Sequence, residues 1–370
     1  MAQDLTLAQT LESLSLKEVK LFCPITPAPP NADGKELDRH AAQWAVQQGL
    51  CAPDSLITRA RLGELIATGM PFFTPEAAVS LSCYTYWAFV WDDHLDSLVD
   101  DPAAAIALTA EANRVMTEPA AAPLLDNTFV TSLREVRTMM DGCLDPDAMH
   151  TVRAEHMQWL GGQLWKLALH RRPTPPTVGE WLRMRWQKAG TGALAALVPP
   201  GGGYALPPRD VDDPLVRAFT QAVFYPCTMV NELGSLMKEQ ADGQGHVNLL
   251  SAMAVEHGIG LAEALIKVWE LYERTVAVML RLQERLLRDA RSSVVRYATE
   301  LPQWLPATVT WMSGNIRYLT APDRNSRQEP ALALCPPPEL SLTGSPQLWD
   351  PDDLTPPPYP DIAWLWNQLD

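Results

Sequence analysis

The spacing of apolar and polar residues predicts a chain that is almost entirely helical. In residues 37–319, apolar side chains return every three or four positions, which is the spacing of one helix face. Clear examples are the stretches PEAAVSLSCYTYWAFVW, TVRAEHMQWLGGQLWKLALH and LAEALIKVWELYERTVAVMLRLQERLLRDA. We find no alternation of the kind that predicts strands and no internal repeat. The pattern therefore predicts one all-α domain.

Turn-forming and capping residues divide this pattern into separate helices. Clusters of glycine and proline interrupt it at residues 69–71 and 199–203. Thr74 and Asp101 each precede a proline, and Thr177 is followed three residues later by Glu180, as in a capping box. We expect Thr74, Asp101 and Thr177 to be the N-caps of three helices.

The two ends of the chain lack the helical pattern. Residues 1–35 include four prolines within residues 24–30 and are predicted to be irregular. Residues 321–370 hold 11 of the 33 prolines and are predicted to form a tail that is mobile or lies on the surface. The apolar residues near its end, at 362–366, could dock onto the body or onto a partner. The helical domain is therefore expected to span residues 36–320.

Composition excludes some partners and indicates a compartment. The formal net charge of −15 argues against nucleic acid as a partner, so any phosphate would be bound locally by a few Arg or Lys or by metal ions. The six cysteines are scattered without metal-finger spacing, and the N-terminus lacks the pattern of a signal peptide. We therefore expect a reduced, cytoplasmic protein. No apolar run reaches the length of a membrane span.

Three carboxylates follow one of the most apolar stretches, in WAFVWDDHLD. Asp92 and Asp96 are four residues apart and share a helix face, with Asp93 about 100° away. The helix must stop before Pro102, so the three carboxylates lie near its C-terminal end, where each is unfavourable by up to about 1 kcal/mol. Two interpretations remain open: a solvated acidic helix end, or a site for a hard divalent cation such as Mg²⁺.

A second polar stripe follows the apolar stretch FTQAVFYPCTMV. Asn231, Ser235 and Glu239 recur every four residues and so lie along one side of a helix. An amide, a hydroxyl and a carboxylate all offer oxygen ligands, which suit Mg²⁺ better than zinc or copper. A plain polar surface stripe is the alternative. Two oxygen-rich stripes on apolar helices suggest the two faces of one cleft.

The two stripes together resemble the D-D-x-x-D and N-D-x-x-S-x-x-x-E motifs of the class I terpene cyclases, the microbial terpene synthases. Further matches cover about residues 20–320. Arg185 lies 46 residues before Asn231, where the family has its diphosphate-sensing arginine, and Lys238 just precedes Glu239. Two tryptophans seven residues apart, Trp304 and Trp311, are followed by an Arg-Tyr pair at 317–318.

Three positions depart from the family pattern. The second residue of the later motif is Glu232 where the family usually has Asp; it is not normally a metal ligand, so we expect little effect. After Arg185 the family often has Asp or Thr and then Gly, whereas this chain has Lys188 and Ala189 before Gly190. We assign the carbonyl that assists ionisation, the so-called effector, to Ala189.

The resemblance implies a single-domain helical bundle around a central apolar cavity, with residues 36–320 as the catalytic domain. It implies a lyase that cleaves the carbon–oxygen bond to diphosphate with three Mg²⁺ ions. The implied metal ligands are Asp92, Asp96, Asn231, Ser235 and Glu239. The implied diphosphate-binding residues are Arg185, Lys238, Arg317 and Tyr318. Among the aromatic residues, whose faces tolerate cations, we single out Phe89 and Trp311 as cavity residues.

The family also frames the substrate and the alternatives. Farnesyl diphosphate is the first expected substrate, giving a sesquiterpene, and geranylgeranyl diphosphate, giving a diterpene, is the second. Many relatives pair as dimers, so the resemblance allows a homodimer. A chain-elongating prenyltransferase would have a second Asp-rich motif in place of Asn231, Ser235 and Glu239. A non-catalytic helical scaffold would need neither Mg²⁺ nor the Arg and Lys residues at these positions.

Overall fold

The computed structural model describes residues 18–30, 32–241, 245–318 and 339–369, and its architecture is all-α, as predicted. The first eight helices are α1 (Gly34–Gln47), α2 (Leu62–Gly69), α3 (Pro75–Ser97), α4 (Pro102–Thr117), α5 (Thr128–Cys143), α6 (Pro146–His170), α7 (Val178–Lys188) and α8 (Thr191–Gly201). They are followed by α9 (Pro208–Val211), α10 (Pro214–Ala241), α11 (Leu249–His257), α12 (Leu261–Leu286), α13 (Ser292–Glu300), α14 (Trp304–Met312) and α15 (Pro360–Ala363). A 3₁₀ turn, Ile316–Tyr318, follows α14.

The three predicted N-caps are confirmed. The hydroxyl of Thr74 accepts a hydrogen bond from the Ala77 N–H at 3.3 Å, and that of Thr177 accepts one from Glu180 at 3.1 Å. The carboxylate of Asp101 accepts one from Ala104 at 3.0 Å. Each bond satisfies a backbone donor that the first helical turn leaves without a partner. Short polar side chains therefore set where α3, α4 and α7 begin.

Neighbouring helices enclose the two helices that carry the polar stripes, α3 and α10. α3 is apolar on most sides, and Trp87 and Trp91 in it are fully buried. A helix that is apolar all round must be enclosed by others, and α3 packs against α1, α2, α5 and α6. On the opposite side, α10 packs against α12 and α14, while α6 packs against α7 and α8. The polar ends of α3 and α10 are thereby held inside the bundle.

A small sheet is present that the apolar pattern does not predict. Strand β1 (Glu18–Phe22) pairs in parallel with strand β2 (Glu339–Thr343), with Val19 opposite Leu340. Both of these side chains are buried. The strand β1 lies within residues 1–35, which we expected to be irregular, and it forms because a partner strand from the other end of the chain reaches it. The correction is small, and the fold class remains all-α.

The described part of the tail, residues 339–369, is docked on the body. The buried carboxylate of Glu273 in α12 accepts three backbone hydrogen bonds of 2.7–2.9 Å, from Gln347, Leu348 and Trp349. Near the end of the chain, Ile362, Leu365 and Trp366 are buried. Of the alternatives stated for the tail, the docking of its terminal apolar residues onto the body is the one observed.

Within the described residues, no single helix has the length and apolar composition needed to cross a membrane. The adjacent helices α11 and α12, bent by 111° at their junction, meet that test only when taken together.

Candidate active site

A cleft with about 1120 Å³ of empty space, part of it open to solvent, lies between α3, α6, α7, α10 and α14. All the site residues predicted from the sequence line it, with the exception of Trp311. Those that line it are Phe89, Asp92, Asp96, Arg185, Ala189, Asn231, Ser235, Lys238, Glu239, Arg317 and Tyr318. The two polar stripes, more than a hundred residues apart in the chain, therefore face one another across a shared space.

Each aspartate of the acidic cluster has a cationic neighbour. Lys166 Nζ lies 2.6 Å from Asp96 Oδ2 and 3.7 Å from Asp92 Oδ1. Lys188 Nζ lies 3.3 Å from Asp92 Oδ1. Arg317 donates two hydrogen bonds, of 2.9 and 3.0 Å, to the carboxylate of Asp93. These cations offset the cost of carboxylates at the negative end of a helix, so the cluster is not a solvated helix end.

The electrostatic effect of these neighbours is opposed by burial. Burial raises the pKa of Asp92, but Lys166 and Lys188 outweigh it and hold that pKa well below its ordinary value. Burial likewise acts against Asp93, yet Arg317 lowers its pKa to about 2. Burial lowers the pKa of Lys188 to about 8 despite the nearby Asp92. Asp92 and Asp93 are thus ionised at neutral pH, whereas burial raises the pKa of Asp96 despite the nearby Lys166.

The second stripe is held by neutral and charged partners. Asn231 accepts a short hydrogen bond from Arg185 and donates one of 3.0 Å to the hydroxyl of Tyr318. The carboxylate of Glu239 accepts a hydrogen bond of 2.9 Å from the side chain of Asn248. Ser235 is 4% exposed, and its Oγ has no hydrogen-bond partner among the described residues. Its oxygen is available to a ligand.

Glu232, one of the departures from the family pattern, contacts Arg185. Its carboxylate lies 3.2 Å from Arg185 and accepts hydrogen bonds from Trp181 Nε1 at 3.1 Å and from the Leu249 N–H at 2.9 Å. Burial raises the pKa of Glu232 to about 7. Glu232 is not among the residues that line the cleft, although Arg185, which it contacts, is.

The break between α7 and α8 lies against α6. Gly190 has a positive φ of 68°, which favours glycine and lets the chain turn after Ala189. At Gly162 in α6, an added Cβ atom would lie 2.5 Å from the backbone nitrogen of Lys188, so only glycine permits this approach of the two helices. The side-chain amide of the adjacent Gln163 donates a hydrogen bond of 3.1 Å to the Lys188 carbonyl. α6 therefore positions the turn that carries Lys188 and Ala189.

The two predicted aromatic residues occupy different places. Phe89 lines the cleft, and the guanidinium of Arg317 lies 4.8 Å from its ring centre. Trp311 packs behind Phe89, edge to face at 5.7 Å, and donates a hydrogen bond of 2.7 Å to the Ala60 carbonyl. Trp159, Phe224 and Trp304 line the cleft instead. Helical spacing alone does not distinguish these tryptophans, because each follows an equally apolar pattern.

Lys166 is the main site residue that the sequence analysis missed. It lies in α6 on the same face as Trp159 and Gln163, seven and three residues earlier, and all three line the cleft. The available signal was the single lysine of a helix whose apolar pattern predicts a buried face. Lys188, which departs from the family pattern, contacts Asp92 directly.

The cleft residues fit hard divalent cations. Asp92 Oδ1, Asp96 Oδ1 and Ser235 Oγ are buried and have no hydrogen-bond partner in the described parts of the chain, even though Lys188 lies at ion-pair distance from the first. A buried oxygen without a partner is costly unless a ligand satisfies it. No group of three His, Cys, Asp or Glu side chains among the described residues is placed to hold a metal ion by itself. Open sites that are completed by substrate oxygens are typical of Mg²⁺.

Comparison with known families identifies the chain. Residues 83–277, more than half of its length, match the model of terpene synthase family 2, C-terminal metal binding. The chain belongs to this family. It is a class I terpene cyclase, a lyase that acts on isoprenyl diphosphates, as the two motifs predicted.

Individual relatives cover most of this terpene cyclase. It is 27% identical to tsukubadiene synthase from Streptomyces tsukubensis, over 94% of this chain and 98% of the relative. It is 26% identical to a germacradien-6-ol synthase from Streptomyces pratensis, over 85% of this chain and 90% of the relative. Among solved structures, the SVS_A2 protein from an ancestral sequence reconstruction superposes with a TM-score of 0.74 at 22% identity. The superposition covers 94% of this chain and 98% of that protein. The last comparison concerns the fold alone.

Proposed function

We propose that this cyclase ionises farnesyl diphosphate in the described cleft and cyclises the resulting carbocation, with release of diphosphate. The observation that carries the proposal is the convergence of the Asp92–Asp96 and Asn231–Glu239 stripes on one cleft together with Arg185, Lys238, Arg317 and Tyr318. The set combines oxygen ligands on two walls with cations that can hold a departing anion. Neither a scaffold nor a solvated surface requires this combination.

We propose that Asp92, with Asp96, holds two Mg²⁺ ions and that Asn231, Ser235 and Glu239 hold a third. The unpartnered oxygens of Asp92, Asp96 and Ser235 support this assignment. When bound, the ions act as Lewis acids that neutralise the negative charge of the leaving diphosphate. The three-ion count comes from the family resemblance, whereas the family model describes metal binding without a number.

The diphosphate-binding role is assigned to Arg185, Lys238, Arg317 and Tyr318. Guanidinium groups suit bidentate contact with phosphate oxygens, and the Tyr318 hydroxyl supplies a single donor. Without substrate, Arg317 is engaged by Asp93, and Arg185 by Asn231 and Glu232. These side chains exchange carboxylate or amide partners for phosphate oxygens when the substrate binds. They therefore contact the diphosphate only once substrate binding has rearranged the site.

The apolar part of the cleft has the task of excluding water from the carbocation. Its walls include Leu65, Leu194, Phe224 and Trp304. We propose that Phe89 stabilises cationic intermediates through its ring face. The Ala189 carbonyl, at the turn held by Gln163, is proposed to assist ionisation. Trp311 is proposed to act by supporting Phe89, because its ring lies behind that residue.

The choice of farnesyl diphosphate is supported by relatives whose names state that they cyclise it. One is 4-epi-cubebol synthase from Streptosporangium roseum, 23% identical over 81% of this chain. Geranylgeranyl diphosphate is the second candidate, because another relative, 27% identical over 62% of this chain, is named a diterpene cyclase.

The test is incubation of the purified protein with Mg²⁺ and, in turn, geranyl, farnesyl and geranylgeranyl diphosphates, with products identified by mass spectrometry. We expect a cyclic sesquiterpene from farnesyl diphosphate and none after addition of EDTA. A cyclic product from the C20 substrate alone would overturn the substrate assignment. A longer linear diphosphate would indicate a prenyltransferase, and the absence of any product would favour a scaffold.

Three further assignments are proposals of the same kind. We propose that residues 36–320 form the catalytic domain, since α1 begins at Gly34 and the Arg317–Tyr318 pair ends the described helical body. A cytoplasmic location is supported by five described cysteines that are all unpaired. Pairing as a homodimer stays a prediction, which sedimentation at several protein concentrations would test.

A further inference from the structure

Two buried lysines occupy the place where the acidic cluster faces the cleft. Lys166 reaches it from α6 and Lys188 from the end of α7, and their side chains are 10% and 12% exposed. Their ammonium groups lie 2.6 Å from Asp96 and 3.3 Å from Asp92, the residues assigned above as metal ligands. Both lysines line the same cleft as Arg185 and Arg317. Lys166 belongs to none of the family motifs on which the site was predicted, and Lys188 stands where the family often has Asp or Thr.

The formal charges around the cleft cancel without any metal. Five carboxylates are present: Asp92, Asp93, Asp96, Glu232 and Glu239. Five cations are present: Lys166, Lys188, Lys238, Arg185 and Arg317. With Glu232 ionised the formal charges balance, and with Glu232 protonated the metal-free site carries one positive charge. In either case each Mg²⁺ that binds adds two uncompensated positive charges, so we expect metal binding alone to be weak.

A metal ion at Asp92 and Asp96 also leaves the two lysines without their partners. An ammonium group that is nine-tenths buried beside a divalent cation is strongly unfavourable unless an anion neutralises it. The substrate diphosphate is such an anion, and it binds in the same cleft. Lys188 lies three residues after Arg185 in α7, so both side chains leave the same side of that helix.

We propose that Lys166 and Lys188 are internal cations of the acidic cluster that transfer to the diphosphate when metal binds. The proposal rests on the proposed metal and diphosphate site. Its consequence is that metal and diphosphate bind interdependently, because each removes the electrostatic cost imposed by the other. The two lysines thus oppose the binding of metal ions until the diphosphate is present, and they then add two contacts to the diphosphate.

The coupling is measured with Mn²⁺ and inorganic pyrophosphate, without turnover. The affinity for Mn²⁺ is determined by electron paramagnetic resonance or calorimetry, with and without pyrophosphate, for the wild type and for the Lys166→Met/Lys188→Met variant. Methionine keeps the length and apolar stem of lysine but removes the charge. We expect Mn²⁺ alone to bind about tenfold tighter to the variant, and the enhancement by pyrophosphate to shrink by a similar factor.

Matched variants separate the proposal from trivial effects. Lys35→Met changes an exposed lysine on α1 and should leave both affinities unchanged. Lys188→Arg keeps the charge and should keep the coupling. If the double variant does not fold, as judged by circular dichroism, the single Lys188→Met variant is used, since Lys166 still neutralises Asp96. It should show the same two changes at smaller size.

Two outcomes would overturn the proposal. An unchanged Mn²⁺ affinity would mean that the lysines do not oppose metal, and an unchanged pyrophosphate enhancement would mean that they do not bind diphosphate. Neither result depends on product formation. A wild type that makes no terpene but shows the predicted coupling would instead count against the proposed function alone, so the two failures are distinguishable.

Discussion

Two of the regions in which this protein buries carboxylate oxygens, the cleft and the docking site of the tail, differ in their surroundings. At the cleft, Asp92 and Asp96 each keep one buried oxygen without a hydrogen-bond partner among the described residues. At the tail, the fully buried Glu273 uses its carboxylate to accept three backbone N–H groups. The first arrangement is incomplete, whereas the second is saturated.

The difference distinguishes a ligand-binding site from a carboxylate that only stabilises the fold. A saturated carboxylate stabilises what it holds, because both of its oxygens gain bonds that replace water. An incomplete one costs free energy in the isolated protein and recovers it only when a ligand binds. We therefore expect substitution at the cleft to change activity and substitution at Glu273 to change stability.

The largest effect is expected from Asp92→Asn. Loss of one negative charge weakens metal binding where the leaving group departs, and turnover should fall at least about 100-fold, as when one charge-stabilising group is removed from an active site. Product formation and circular dichroism are measured together. Asp100→Asn, in the exposed turn after the same helix, is the matched control and should retain activity. Near-normal turnover by Asp92→Asn would remove that residue from the metal site.

Glu273→Gln should lower the free energy of unfolding by about 1–3 kcal/mol, because the new amide cannot accept all three backbone hydrogen bonds. Urea unfolding gives the value, and activity of the folded variant should stay close to that of the wild type. Glu263→Gln, exposed on the same helix, serves as the comparison and should change stability little. Equal stability of the two variants would show that the three bonds do not hold the tail.

Ser235→Ala tests the same comparison at an uncharged side chain of the cleft. Its Oγ makes no hydrogen bond to the described residues, so its removal should leave the unfolding midpoint nearly unchanged while turnover falls by about tenfold through loss of a metal ligand. Ser82→Ala is the control: it is also a buried helical serine, but its hydroxyl donates to the Ala78 carbonyl. A loss of stability without loss of turnover at Ser235 would reverse its assignment.

The smallest effect is expected from Asp361→Asn in the tail. Asp361 accepts a hydrogen bond of 2.8 Å from Arg183, but the arginine side chain is 67% exposed. Water screens such a pair, so its loss should cost at most about 1 kcal/mol. A double-mutant cycle with Arg183→Gln in urea gives the coupling energy. A cost as large as that of Glu273→Gln would mean that the tail is held mainly at its end.

The local features of the fold were predictable because they depend on neighbouring residues. Helical spacing placed α3 and α10, and the N-caps Thr74, Asp101 and Thr177 were predicted from one residue and its next few neighbours. The pairing of β1 with β2 was not predictable in this way. These strands lie more than 300 residues apart, and neither carries an alternating pattern long enough to be recognised.

The sequence by itself determined the donor types and their spacing: Asp92 with Asp96, and Asn231 with Ser235 and Glu239, each on one helix face. The helical period and the chemistry of the side chains suffice for that. Only the tertiary structure decided that Lys166 and Lys188 face the aspartates and that Trp311 lies behind Phe89. The reason is physical: contacts between helices depend on packing angles and distances that no local spacing encodes.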